Sequence, residues 1–240
     1  DAEEILKEIH EIDKRTIDEI RKILKKLLEA DKKSIDDIRR ILKKLLEIVK
    51  RLIDLLRRVR RDEEVKEVVK EVERRLRELR EEVKRVVKDS EDKVKRLRED
   101  MDRVVEESER LARELREKLK KKRVPEDVLR LVEEIIKLNR EVLKEVRELL
   151  EDIVRVNREV LREARELLEE LARTLRKLLR DRSDDKTLKK ILDELRRKVK
   201  ETDDRLRKLH EDLKRKVKEL IDRLERLNED IARLLKETRD

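Results

Sequence analysis

The chain contains no glycine, no cysteine and no phenylalanine, tyrosine or tryptophan, and its one proline is Pro125. Each absence excludes something. Without cysteine there can be no disulfide framework, thiolate metal site or redox switch, and the residues encode no compartment. Without glycine there is no phosphate-cradling Gly-rich loop. Without aromatics there are no stacking platforms for bases and no bulky anchors for a membrane surface. Strand signals, which need β-branched and aromatic runs punctuated by Gly, Asn or Pro turns, are also missing. No signal peptide, transit segment or apolar run of membrane-spanning length occurs, so a soluble chain without a targeting address is expected.

What remains is charge arranged around an apolar rhythm. Charged residues make up 58% of the 240 positions and the mean hydropathy is −0.97, values typical of disordered chains. Yet 36% of residues are Ala, Val, Ile, Leu or Met, and they recur at helical spacing, so the chain can bury a core. Strong helix formers dominate the rest. The fold class is all-α. The net charge of +9 arises from 74 basic against 65 acidic residues interleaved on the polar faces, which reads as solvated surface. Basic clusters close segments at Arg57 to Arg61, Lys118 to Arg123 and Arg180 to Arg182, and acidic ones open the next at Asp62 to Glu64, Glu126 to Asp127 and Asp184 to Asp185. That order suits the helix dipole, and no nucleic-acid partner is expected.

The apolar rhythm breaks three times, near Arg61-Asp62, Arg123-Val124-Pro125 and Arg182-Ser183-Asp184. Asp62 and Ser183 suit N-cap positions, and Pro125 suits the first helical position, where its missing N–H is not needed. Helices are therefore expected over roughly 2–59, 63–121, 126–181 and 185–238, each on the order of 85 Å long. Connections this short make neighbouring helices antiparallel. Residues 1–240 then form a single domain, an up-down-up-down four-helix bundle.

An internal repeat of 18 residues runs through the helices. Thr16-Ile17-Asp18-Glu19-Ile20 returns as Ser34-Ile35-Asp36-Asp37-Ile38, and Asn139-Arg140-Glu141-Val142-Leu143 returns as Asn157-Arg158-Glu159-Val160-Leu161. Ser90 and Ser108, and His210 and Asn228, are separated by the same interval. Eighteen residues are five whole turns at about 3.6 per turn, so the apolar stripe returns to one face without drift and the helices should be nearly straight.

Polar residues that interrupt these stripes report the register. In an antiparallel pair, residues at one height share a constant sum of residue numbers. Thr16 with Ser108, Ser34 with Ser90 and Leu52 with Val72 share one sum; Ser108 with Asn139, Ser90 with Asn157 and Val72 with Leu175 share a second; Asn139 with Asn228, Asn157 with His210 and Leu175 with Leu192 share a third. Half of each sum falls at one of the three breaks. Two polar layers are thereby expected, Thr16, Ser108, Asn139 and Asn228 in one and Ser34, Ser90, Asn157 and His210 in the other. An apolar layer, Leu52, Val72, Leu175 and Leu192, follows. Asp13 and Asp31 precede the polar positions by three residues and would join from the edge, where the third repeat has Val49. Buried amides, hydroxyls and imidazole need partners, and gathering them at one height supplies these while penalising register slips.

This layering, the aromatic-free Leu, Ile and Val core and the Glu, Lys and Arg surface together resemble de novo designed helical bundles with modular buried hydrogen-bond networks. The resemblance spans the whole chain. It implies a hyperstable scaffold, a helical-hairpin pairing module or a switchable bundle, and it carries no catalytic residues to transfer.

Chemistry is not expected. Ferritin-like di-metal bundles need Glu-x-x-His motifs, and none is present; His10 and His210 fall at different heights, so one metal cannot use both. His10 reads as a boundary or surface residue, Thr202 as a hydroxyl bonded to its own helix, and Met101, which replaces Val83 one repeat on, as core filler. Hydroxyls held inside a narrow bundle do not offer an open cleft for nucleophilic catalysis. The expected function is structural: a scaffold with no cofactor, metal, membrane or small-molecule ligand, monomeric, in which polar layers fix helix pairing. The alternative is a hairpin interaction module in which residues 1–122 pair with 124–240, in trans or by exchange.

Overall fold

The computed structural model describes residues 2–58, 62–181 and 185–239, and side chains for most of these; those of Asn157 and Leu175 lie outside the described set, as do Ser183 and the first and third breaks. The described residues form four α-helices, α1 (Ala2–Arg58), α2 (Asp62–Lys121), α3 (Glu126–Asp181) and α4 (Asp185–Arg239). They match the expected segments to within a residue or so at each described end. Nothing in the helix interiors removes a backbone donor or favours a turn, because glycine is absent and proline is confined to a junction. The ends follow the dipole: Glu3 and Glu4 open α1 and Arg57 and Arg58 close it, while Lys118, Lys120 and Lys121 close α2 ahead of Glu126 and Asp127.

The described connection, between α2 and α3, shows how a chain without glycine turns. Lys122 N–H donates to the Lys118 carbonyl at 3.2 Å, and Arg123 takes a left-handed conformation with φ of 50°. Glycine usually occupies such a C-terminal position, because a Cβ crowds the neighbouring carbonyl there. Pro125 sits one residue earlier than expected, just before α3, where its carbonyl accepts the first helical bond from Leu129 at 3.3 Å. The ring fixes φ without sacrificing a donor in either position.

Contacts gather the residues into two compact units. One contains 1–29, 93–154 and 212–240, the other 30–92 and 155–211, so every helix contributes to both. In the first unit, Ile20, Leu24 and Leu27 pack with Met101, Val105, Val146, Val217 and Leu224, and a second cluster joins Ile5 and Ile9 to Leu119, Val132 and Ile231. Met101 is fully buried there, as core filler should be. In the other unit, Leu42, Leu45, Val49, Leu52 and Ile53 pack with Val72, Leu76, Leu168, Ala172, Leu195 and Leu206. Each cluster draws side chains from four helices, which is how an amphipathic helix hides its apolar stripe.

Ion pairs line the seams. Between α2 and α3 of the first unit they are Arg98–Glu151 at 3.8 Å, Asp102–Arg147 at 3.6 Å and Arg116–Glu133 at 3.1 Å. Between α3 and α4, Glu145–Arg223 at 2.7 Å lies in the first unit. Glu163–Arg205 at 2.9 Å and Glu170–Lys198 lie in the second. Lys44 and Glu82, 3.5 Å apart, join α1 to α2, and Arg39 with Asp203 joins α1 to α4. Exposed pairs such as these stabilise little individually. Their value is as markers of register.

Candidate functional site

Among the described residues, polar side chains inside the apolar stripes break the uniformity of the core, and two acids on α1 organise them. In a stripe that runs Ile9, Asp13, Ile17, Ile20, Leu24, Leu27, Asp31, Ile35 and Ile38, the spacing of three and four residues carries Asp13 and Asp31 inward with the aliphatic residues. Asp13 is only 5% exposed.

In the first unit, Asn139 Nδ2 of α3 donates to Asp13 Oδ1 of α1. The other carboxyl oxygen, Oδ2, is enclosed with no partner among the described residues. Burial penalises the charged form and pushes the Asp13 carboxyl up to about 7, against the opposing pull of the Asn139 amide. A cavity of about 30 Å³ lies beside it, lined by Asp13, Ser108 and Asn139 together with Ile12, Ala112 and Ile136. That space is enough to admit a water, and the polar groups come from three helices.

In the second unit, His210 Nδ1 of α4 lies 3.0 Å from Asp31 Oδ2 of α1. Burial also raises the Asp31 carboxyl above its ordinary value, while the hydrogen bond and charge of His210 act to lower it. The two acids occupy equivalent places in the 18-residue repeat, but Asp13 meets an amide on α3 and Asp31 an imidazole on α4.

The structure assigns the remaining polar residues different roles. Thr16 Oγ1 donates to the Ile12 carbonyl at 2.9 Å and Ser34 Oγ to the Ala30 carbonyl at 3.0 Å. Their hydroxyl protons therefore serve their own helix, where the sequence suggested bonds within a layer; a Ser or Thr in a helix has the carbonyl four residues back within reach at no conformational cost. Thr202 does the same toward Lys198 at 2.9 Å, as expected. Ser90 and Ser108 are buried on α2. Asn228 is half-buried and its Oδ1 has no partner among the described residues; half-buried His10 leaves Nδ1 in the same condition. The Asn157 side chain lies outside the described residues.

Sequence reasoning thus placed Asn139 and His210 in the interior but assigned their acceptors to the layer edge. The signal for Asp13 and Asp31 was present in their stripe positions, three residues before Thr16 and Ser34. Among the described residues, no group of three or more His, Cys, Asp or Glu is placed to hold a metal ion, and no helix is long and apolar enough to cross a membrane.

No protein-family model matches the chain, and no curated protein matches it. A solved structure described as a computationally designed three helix bundle is similar at 16% identity and a TM-score of 0.46, over 99% of this chain and 93% of that one.

Proposed function

We propose that this chain is a structural scaffold of designed character with no catalytic role, in which buried polar pairs fix which helices lie together and at what register. The observation that carries this is the pair of α1 acids. A carboxyl placed in an Ile and Leu stripe lowers stability unless its partner stands opposite, so Asp13 with Asn139 and Asp31 with His210 favour one arrangement over its slipped neighbours.

Up-down-up-down order within a single domain is the arrangement these features fit. The residue numbers of Arg98–Glu151, Asp102–Arg147 and Arg116–Glu133 add to one total, and those of Glu145–Arg223, Glu163–Arg205 and Glu170–Lys198 add to another. Constant totals are the mark of antiparallel neighbours. Light scattering on the eluting peak of a size-exclusion column tests the scaffold reading. A mass of one chain is expected, and a concentration-dependent series of oligomers would contradict it.

One observation favours a second reading, an interaction module in which residues 1–122 recognise 124–240. Both buried polar pairs join α1 to helices of the other half, Asn139 on α3 and His210 on α4. Recognition between two hairpins requires polar matching of that kind.

A further inference from the structure

Among the described residues, one groove between helices is strongly unbalanced in charge. In the second unit, the groove between α2 and α3 has a volume of about 400 Å³ and is lined by Arg80 and Lys84 from α2 and by Arg165, Arg173 and Arg176 from α3. Against these five cations stands one carboxylate, Glu169. Its Oε1 is 4.0 Å from Arg165 Nε, while Arg173 Nε reaches only the Glu169 main-chain carbonyl, at 3.5 Å. Lys84 leans toward Glu81 on its own helix, 3.5 Å away. Arg80 and Arg176 have no hydrogen bond or ion pair among the described residues.

The contrast within the molecule is what gives this weight. A groove of about 230 Å³ between α1 and α2 of the same unit holds Lys44, Arg51 and Arg75 against Glu47, Glu78 and Glu82, three of each sign. The α2–α3 seam of the first unit sets Arg98, Asp102 and Arg116 against opposite charges. Both grooves carry cations on each wall, but in the Arg80 groove they outnumber the carboxylates five to one, over a floor of buried Val83 and Leu168. Crowded guanidinium groups repel one another, and an apolar floor limits how fully water can screen them.

We propose that this groove is a binding site for a compact inorganic oligophosphate, with pyrophosphate as the smallest member of the class. Guanidinium forks match phosphate oxygens two at a time, and two phosphates share enough negative charge to engage both walls. The groove has no aromatic surface on which bases could stack, so the phosphates are the recognised part and a nucleic-acid strand is not. The site goes beyond the scaffold reading and does not depend on it.

Isothermal titration calorimetry of the full chain with inorganic pyrophosphate, in buffer of about 20 mM ionic strength where screening is weak, tests the site. Saturable binding at one equivalent is expected, weakening steeply as salt is raised. The double variant Arg80→Gln/Arg176→Gln should bind at least about tenfold more weakly, equivalent to about 1.4 kcal/mol. The same charge change in the balanced groove, Lys44→Gln/Arg51→Gln, should leave affinity nearly unchanged. Circular dichroism confirms that each variant keeps its helices, and Arg176→Gln alone, at an exposed position, substitutes for the first variant if it unfolds. Absence of saturable heat, equal losses in both variants, or binding of single-stranded oligonucleotide without binding of pyrophosphate overturns the proposal.

Discussion

Asp31 Oδ2 lies 3.0 Å from the imidazole nitrogen Nδ1 of His210, so a carboxyl in the middle of an Ile and Leu stripe is matched by the one side chain of α4 able to meet it with a ring nitrogen. Replacing one partner and replacing both should therefore have opposite consequences. His210→Leu leaves Asp31 buried without its partner and should destabilise the fold by about 1–3 kcal/mol. Asp31→Leu/His210→Leu should restore or exceed the parent stability, since well-packed apolar residues can equal a satisfied polar pair. Chemical denaturation of the parent, both single variants and the double variant measures the coupling. Additive losses would show that the pair does not act as a unit.

Asp13 makes stability depend on pH in an unusual direction. Its carboxyl is raised from 3.8 to about 7, so the folded chain holds a proton that the unfolded chain has released across that window. The associated stability is fully present below the ordinary value and is lost as pH rises through about 7. Asp31 is raised in the same direction. Stability should accordingly fall between about pH 4 and about pH 7, by a free energy on the order of a few kcal/mol. Asp13→Asn should flatten much of that slope, and an unchanged slope in this variant would place its origin elsewhere.

The left-handed Arg123 offers a third test. A residue with a Cβ is disfavoured at φ of 50° by about 1–2 kcal/mol. Glycine removes that penalty and loses about 0.5–1 kcal/mol through the entropy of the unfolded chain. Arg123→Gly should raise stability by about 0.5–1 kcal/mol, measured by denaturant unfolding, whereas a loss would mean that the Arg123 side chain contributes contacts of its own.

Residues 1–122 and 124–240, produced separately and mixed, should form a specific one-to-one complex, because the Asp13 and Asp31 pairs both cross between them. Native mass spectrometry distinguishes that complex from self-association. If neither half recognises the other, the covalent link through Arg123 to Pro125 is required for assembly.

Helix number, helix ends and the core role of Met101 were legible because they depend on rhythm and composition, which a sequence displays directly. The expectation that Asn139 and His210 turn inward rests on the same rhythm, and both side chains are half-buried. What the sums could not convey was the partner of each group. Asp13 sits three residues from Thr16, a rise of about 4.5 Å along the helix, and a side chain spans that distance by rotation. Thr16 and Ser34 illustrate the reverse: the carbonyl one turn back was always in reach, and height alone does not reveal which acceptor a hydroxyl takes.

A five-turn period also creates its own hazard. Asp13 and Asp31 share one place in the repeat, and an amide and an imidazole can each serve a carboxyl, so sliding α1 by one whole repeat could bring one acid to the place of the other. Under the proposed register, the third position of the repeat opposes this. Where the pattern would place another acid, α1 carries Val49, wholly buried among Leu45, Leu52 and Ile53. A slip that brings Asp31 to that level strands a carboxyl in hydrocarbon, and a slip the other way draws Val49 to the level of an imidazole left without an acceptor. Under the proposed scaffold reading, the residue that opposes misalignment is thus a plain valine, and it does so by refusing to repeat.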